Sequence, residues 1–566
     1  LRKQTILLIL AGALTIVGLI SGPPIPEVAD LVIQGGRIAI VDSQFTLCEA
    51  VAVRGGRIVY VGDRLGVERL IGTQTRMIDI RGGLVLPGFV DAHAHMYSLA
   101  QELSNLRVTD AASFDEIIRC VGERTRNTPK GEWIVGGRWD QNDWVDRSFP
   151  VHTRLSAVSP DHPVYLKRID GNAALANARA LAVAGITRDT PDPVGGVIHR
   201  MADGSPSGVL VNRSMDLVEN LIPKDSPRIY AEKLERAIGH CLALGLTGWH
   251  EAGVTPEEIA VYRRLVDDGK LKMRCYAMLG DERHPEYPGD LDALFRENLL
   301  VGYGNHFLTV RSVKLFFDGA LGSRGAAFFE PYTDDPKNSG LLRVTPEYIQ
   351  RVAEAALRTG MQLATHCIGD RGNRLCLDAY KKALSRSPKQ DHRFRIEHAQ
   401  FVADRDVTRF ARLGILPSMQ PTHATSDMSF VRSALGSERE KDGYAWRRFR
   451  NRGSIIPCGS DFPVESPDPL RGIYAAVTRQ DVNGHPPEGW HPEERLSIEE
   501  AIRGFTVWPA YASFQEQILG SIEPGKLADF TILDRDILAL PPVEILKTRI
   551  LHTIVAGKVV YSQPSI

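Results

Sequence analysis

The stretch at residues 84–95, LVLPGFVDAHAH, constrains this chain more than any other. Its apolar, partly β-branched residues predict a short strand, interrupted by Pro87-Gly88, that runs into Asp91, His93 and His95. Side chains alternate along a strand, so His93 and His95 face the same way, about 7 Å apart. Two imidazoles converging from one strand end make half of a metal site, because zinc takes neutral His nitrogens and a catalytic site needs several ligands plus an open position. A lone His-x-His arises easily by chance. The weight of the argument therefore falls on what the rest of the chain brings to these two residues.

The other strand-like runs supply it. GLTGWHEAG, MRCYAMLG, SVKLFFDG, MQLATHCIGD, FRIEHAQ, GILPSMQP and SIIPCGSDFP are short apolar runs ending in polar residues or glycine, and amphipathic text such as PEYIQRVAEAALRTG separates several of them. Repeated β-then-α units imply parallel strands, and eight of them imply an α/β fold of the (β/α)8 TIM-barrel type. Lys314, His366, His398 and Asp461 each lie near the end of such a run. In a barrel those ends meet at one face, where active sites sit. Taken singly, each has a plain structural reading: a lysine can snorkel to water, and an isolated histidine is usually a core residue. Four histidines, a lysine and an aspartate, all at strand ends, are harder to explain that way.

The barrel expectation also divides the chain. A barrel needs roughly 250 residues, far fewer than the span between residues 86 and 505, so the turn-rich segment 105–230 is expected to be an inserted subdomain covering the mouth, with the barrel at 84–104 and 231–514. Residues 28–83 and 515–563 carry β text with Gly-Gly or Gly-Lys turns, at Gly35-Gly36, Gly55-Gly56 and Gly557-Lys558, and are expected to form the halves of a composite β-sandwich. Residues 1–24 differ: Arg2 and Lys3 precede an uncharged apolar run over 5–22, the pattern of a signal peptide or membrane anchor. The positive flank would stay in the cytosol, which places the main body outside it, secreted, periplasmic or membrane-anchored.

Composition excludes some alternatives. A formal net charge of −1 without a Lys/Arg block gives no support for nucleic-acid binding. The seven cysteines are scattered singly, which argues against a disulfide framework and a Cys-based metal site. The expected partner is a small-molecule substrate, and a homodimer is left open.

The residues LPGFVDAHAH (86–95), VKLFFDGALGSRGAA (313–327), THCIGDRG (365–372), IEHAQ (396–400), GSDFPV (459–464) and GSIEPGKLADF (520–530) together resemble the amidohydrolase superfamily. The likeness is to amidohydrolase family 3, the YtcJ-like branch similar to N-substituted formamide deformylase, and it covers about 28–563. The resemblance implies a metal-dependent (β/α)8 hydrolase acting on non-peptide carbon–nitrogen bonds, in linear amides or N-substituted formamides. It also implies His93, His95, Lys314, His366, His398 and Asp461 as ligands of one or two divalent ions, zinc first among them. Lys314 would be carbamylated by carbon dioxide, since an ammonium cannot bind a cation whereas an N-carboxylate can bridge two. Metal-bound water acidified towards neutrality would attack, with Asp461 as general acid and base.

Around this core, Trp139, Asp140 and Trp144 of the insertion are candidate lid residues, with an aromatic mini-core as the alternative. Asp318 and Gly319 are candidate pocket residues, His423 a candidate substrate contact, and His250 with Glu251 candidate supports behind the ligands. Other functions stay open: the same metals could hydrolyse an ester, cyclic imide or carbamate, and a barrel scaffold without catalysis is a third reading.

Overall fold

The computed structural model describes residues 28–564 apart from 110, 170, 281–285, 288 and 388–390. The apolar run at 5–22 lies outside these residues, and no helix among the described residues is long and apolar enough to cross a membrane.

Seven parallel strands form the central sheet: β1 (Phe89–Ala94), β2 (Leu246–Val254), β3 (Arg274–Leu279), β4 (Leu308–Phe316), β5 (Gln362–Cys367), β6 (Arg395–His398) and β7 (Leu416–Ser418), each beside its predecessor. The eighth position is an extended segment around 457–461 that closes the gap between β7 and β1. Met419 N–H donates to Pro457 O (3.0 Å) and Gly459 N–H to Met419 O (3.1 Å) on one side. Ala92 N–H donates to Cys458 O (3.0 Å) and Asp461 N–H to His93 O (2.8 Å) on the other. Pro457 and Pro463 lack N–H groups, so this segment joins both neighbours without a full ladder. The expected TIM-type barrel is thus present, and its strands are nearly all buried, as a sheet covered by helices requires.

The helices that cover it begin where the sequence supplies caps. Thr255 Oγ1 accepts from Glu258 N–H, and the Glu258 carboxylate accepts from the Thr255 N–H in turn, ahead of Pro256 at the first helical position. Thr345 accepts from Tyr348 N–H ahead of Pro346 for the helix Pro346–Thr359, which ends on Gly360 in the left-handed conformation.

The two ends of the chain share one eight-stranded sheet. Strand Phe530–Leu533 pairs antiparallel with Leu84–Pro87, in register Phe530 with Pro87 and Leu533 with Leu84. The expected turn at Gly55-Gly56 joins Leu47–Arg54 to Arg57–Gly62, with φ of 58° and 75°. The C-terminal turn falls one residue early, on Ala556-Gly557. Gly35-Gly36, however, is no turn. It lies inside the strand Leu31–Ala39, at a register shift where the strand leaves one set of partners and meets Leu84–Pro87. A Cβ on Gly36 would stand 2.4 Å from Gly83 O, so close backbone approach explains that glycine.

Residues 106–212 carry a separate six-stranded sheet, in the order Gly196–Arg200, Pro206–Asn212, Ala173–Ala176, Val164–Arg168, Ile134–Trp139, Leu106–Arg107. Apolar side chains pack on both of its faces. All seven cysteines are free.

Candidate metal centre

The six strand-end residues converge. His93 is fully buried at the end of β1, and His95 follows it as the residue capping helix Met96–Ser104. Lys314, buried in β4, places Nζ 3.3 Å from His93 Nε2 and 4.9 Å from the centre of the Phe316 ring. His398, at the end of β6, packs its ring 4.8 Å from that of His93 and 4.5 Å from that of His366 on β5. Asp461 closes the ring of groups: Oδ1 lies 3.1 Å from His95 Nε2 and 3.6 Å from His93 Nε2.

Among the described residues, two trios bring ligand atoms within 4.8 Å of one another: His93, His95 and Asp461; and His398, His423 and Asp461. His366 belongs to neither trio; its Nε2 points towards Gly319 O at 3.5 Å. His423, expected as a substrate contact, lies in the second trio. Gln400 Nε2 donates to its Nδ1 (3.2 Å), and its Nε2 is buried without a hydrogen bond, 3.8 Å from Asp461 Oδ2.

Backbone strain accompanies this convergence. His398 (φ 72°), Ala399 (φ 43°) and Asp461 (φ 60°) all adopt the left-handed conformation, which is unfavourable for non-glycine residues and recurs at functional sites. Two of the six candidate ligands are held this way.

The electrostatics suit a cation. Burial pushes His93 down to about 4, with the Lys314 ammonium adding to the effect, and pushes His366 down to about 3 in the same way. Burial and the neighbouring His366 and His93 hold His398 well below the usual range. These imidazoles are therefore neutral and keep a lone pair to give. For Asp461 burial works in the opposite direction, yet the surrounding His93, His95 and His398 hold its carboxyl well below the ordinary range. Burial opposes protonation of His95 too, but the adjacent Asp461 carboxylate prevails and raises it. An anionic carboxylate among imidazoles, with its Oδ1 buried and lacking a hydrogen bond, fits a divalent ion.

Groups behind the candidate ligands orient them. His398 Nδ1 meets Gln420 Oε1 at 2.8 Å, which leaves Nε2 for the centre. Glu397 Oε2 accepts from His93 Nδ1, and Arg395 touches Glu397 Oε1 at 2.6 Å. Asp91 takes Ser460 Oγ (2.6 Å) and the N–H groups of His93 and Ser460 (each 3.1 Å), which ties the start of the site to its last segment. Glu251 accepts from Met96 N–H (3.1 Å), Trp249 Nε1 (2.8 Å) and Tyr262 OH (3.0 Å) beside His95, a supporting place of the kind expected for it. His250 Nδ1 is occupied by Arg395 Nη1 at 2.9 Å.

Four expected substrate residues are elsewhere engaged. Asp318 is 1% exposed and accepts from the N–H groups of Ala327, Ile368 and Gly369 at 3.0, 3.0 and 2.9 Å. It braces the loop beside His366 instead of lining a pocket. Trp139 and Trp144 are buried in the insertion, 6.0 Å apart, and their indole N–H groups donate to Leu166 O and Ala111 O. They form the aromatic mini-core, because each polar edge already has a backbone partner. Asp140 caps the short turn that follows and pairs with Arg168 at 2.6 Å.

A family model described as the amidohydrolase family matches residues 76–561. The chain belongs to the amidohydrolase family. It is accordingly a hydrolase acting on carbon–nitrogen bonds. It is 33% identical over 536 residues to the putative amidohydrolase YtcJ of Bacillus subtilis, covering 94% of this chain and 99% of that one. It is 29% identical over 548 residues to the N-substituted formamide deformylase of Arthrobacter pascens, covering 95% and 99%. The crystal structure of an uncharacterized metal-dependent hydrolase from Pyrococcus furiosus superposes with a TM-score of 0.75 at 28% identity, covering 91% of this chain and 99% of that one.

Arg395 and Glu397 were not singled out in the sequence. A signal was there: two charged residues at spacing two in the apolar run FRIEHA share a strand face, and in a barrel that face is either the interior or the helix layer.

Proposed function

We propose that this amidohydrolase cleaves the carbon–nitrogen bond of linear amides or N-substituted formamides at a divalent-metal centre held by His93, His95, Lys314, His366, His398 and Asp461. The observation that carries the reading is the Asp461 carboxylate: buried, without a hydrogen bond at Oδ1, and with that oxygen 3.1 Å from His95 Nε2. The amide preference is supported by the resemblance to the formamide deformylase.

When bound, the cation, zinc being the usual choice for this donor set, supplies Lewis acidity towards the substrate carbonyl and brings the pKa of a water towards neutrality. The chain's own residues do the rest. His93, His366 and His398 stay neutral, so their lone pairs are available without first losing a proton. Asp461 accepts the proton of the attacking water and returns it to the departing nitrogen, a role that needs a carboxylate ionised before substrate arrives. Lys314 enters as its carbamate. After its ammonium gives up a proton to solvent, the neutral amine attacks carbon dioxide, an N–C bond forms as one C=O π bond opens, the nitrogen releases a second proton to solvent, and the product offers two oxygens that share one negative charge.

Zinc-loaded enzyme tested against N-alkyl and N-aryl formamides, linear amides, matched esters and cyclic imides decides the matter. The expected result is release of formate or another carboxylate together with the free amine, faster than cleavage of the matched ester. Turnover of esters or imides with none of any amide overturns the proposal.

A further inference from the structure

Arg395 is wholly buried inside the barrel, directly below the candidate ligands. Its guanidinium reaches four barrel strands. On its own strand it touches Glu397, with Nε 2.6 Å from Oε1 and Nη2 3.0 Å from Oε2. Nη2 also donates to Ala92 O of β1 at 2.6 Å and to Ser418 Oγ of β7 at 2.8 Å, while Nη1 meets His250 Nδ1 of β2 at 2.9 Å. Glu397, equally buried, gives its Oε2 to His93 Nδ1.

A buried ion pair is weak as a device for stability, since desolvating both charges offsets most of their attraction. This one has a further consequence. A carboxylate only accepts hydrogen bonds, so His93 must carry its proton on Nδ1. Its Nε2 then holds a lone pair aimed at the place where Lys314 Nζ and Asp461 Oδ1 converge, 3.3 and 3.6 Å away. The negative charge behind the ring also strengthens that nitrogen as a donor.

We infer that Glu397 and Arg395 are positioning residues of the metal centre: Arg395 fastens the Glu397 carboxylate to four strands, and the carboxylate fixes the tautomer, orientation and donor strength of His93. The inference rests on the proposed role of His93 as a metal ligand, and the experiment separates the two.

Zinc affinity is measured by competition with a chromophoric chelator, and thermal stability of the zinc-free protein is measured beside it, for wild type, Glu397→Gln, Arg395→Met/Glu397→Gln and His93→Ala. Glu397→Gln should weaken zinc binding about 10–100-fold, the range seen when such supporting groups are lost. That single variant strands the Arg395 charge and can lose stability for that reason alone. The double variant removes both charges, so it should regain thermal stability while its zinc affinity stays about 10–100-fold low. A double variant that binds zinc as wild type does overturns the inference and leaves the metal centre standing. If His93→Ala keeps wild-type zinc affinity and ion count, the metal-centre reading itself fails.

Discussion

Replacing Asp461 with Asn isolates the proposed acid–base group. Asp461 holds a left-handed backbone (φ 60°), and its N–H donates to His93 O at 2.8 Å. Asn tolerates that conformation as readily as Asp, whereas Ala would add strain, so Asn changes the charge and little else. The carboxylate lies 3.1 Å from His95 Nε2, 3.6 Å from His93 Nε2 and 3.8 Å from His423 Nε2. An amide cannot accept the water's proton, and general acid–base catalysis is worth about 10²–10⁴-fold. The expected loss in kcat is therefore about 10³-fold, or roughly 4 kcal/mol in the barrier. KM should stay within a few-fold, since the proton transfer belongs to the transition state and not to substrate binding. The denaturation midpoint of the metal-free variant should fall, because the imidazoles of His93, His95 and His398 favour the ionised carboxyl in the folded chain and lose that partner. Steady-state kinetics on the amide or formamide that the enzyme turns over fastest, at saturating zinc, read the effect. A variant that keeps a tenth or more of wild-type kcat would refute Asp461 as the acid–base group.

Three further outcomes are expected. Lys314→Arg should lose bound metal and most activity, because a guanidinium stays charged and cannot be carbamylated, while short carboxylic acids should partly rescue Lys314→Ala; metal content and kcat read both. Arg274→Met should cost about 3–5 kcal/mol by denaturant titration: Arg274, at the start of β3 away from the site, pairs with Asp529 at 2.6 Å, and the substitution leaves that buried carboxylate unpaired. Burial raises Asp318 from 3.8 to about 7, so the folded chain keeps a proton that the unfolded chain loses above about pH 4, and this group's contribution to stability falls as pH rises from about 4 to about 7. Asp318→Asn should flatten that part of the stability–pH curve of the metal-free protein and, with three N–H donors left facing an amide, lower stability by about 1–3 kcal/mol.

The barrel and its strand-end residues were legible because both follow from periodicity and order: a run of apolar residues ending in His, Lys or Asp can be read without knowing what lies beside it. The eighth strand position was legible in the same way, at SIIPCGSDFP, although its prolines keep it from forming a regular ladder. Gly35-Gly36 misled because the pair signals close backbone approach as readily as a turn, and only the position of Gly83 distinguishes the two. Trp139 and Trp144 misled because aromatic residues in a loop-rich insertion suit a lid and a mini-core equally, and the difference lies in where each indole N–H finds its acceptor. Asp318 looked like a pocket residue from its closeness to Lys314; the N–H groups of Ala327, Ile368 and Gly369 that claim it come from up to 51 residues away in sequence. Glu397 and Arg395 went unnoticed because a charged pair gains meaning only when the strand that carries it is known to face the barrel interior.

The central claim, that the convergent histidines and Asp461 form a working metal centre, is tested most directly by following metal content and hydrolysis together. The purified chain is stripped with a strong chelator, assayed, and titrated with zinc while bound metal is counted by elemental analysis. The account predicts that activity disappears with the metal and returns in step with about one to two ions per chain. Full hydrolytic activity in protein shown to be metal-free would contradict it.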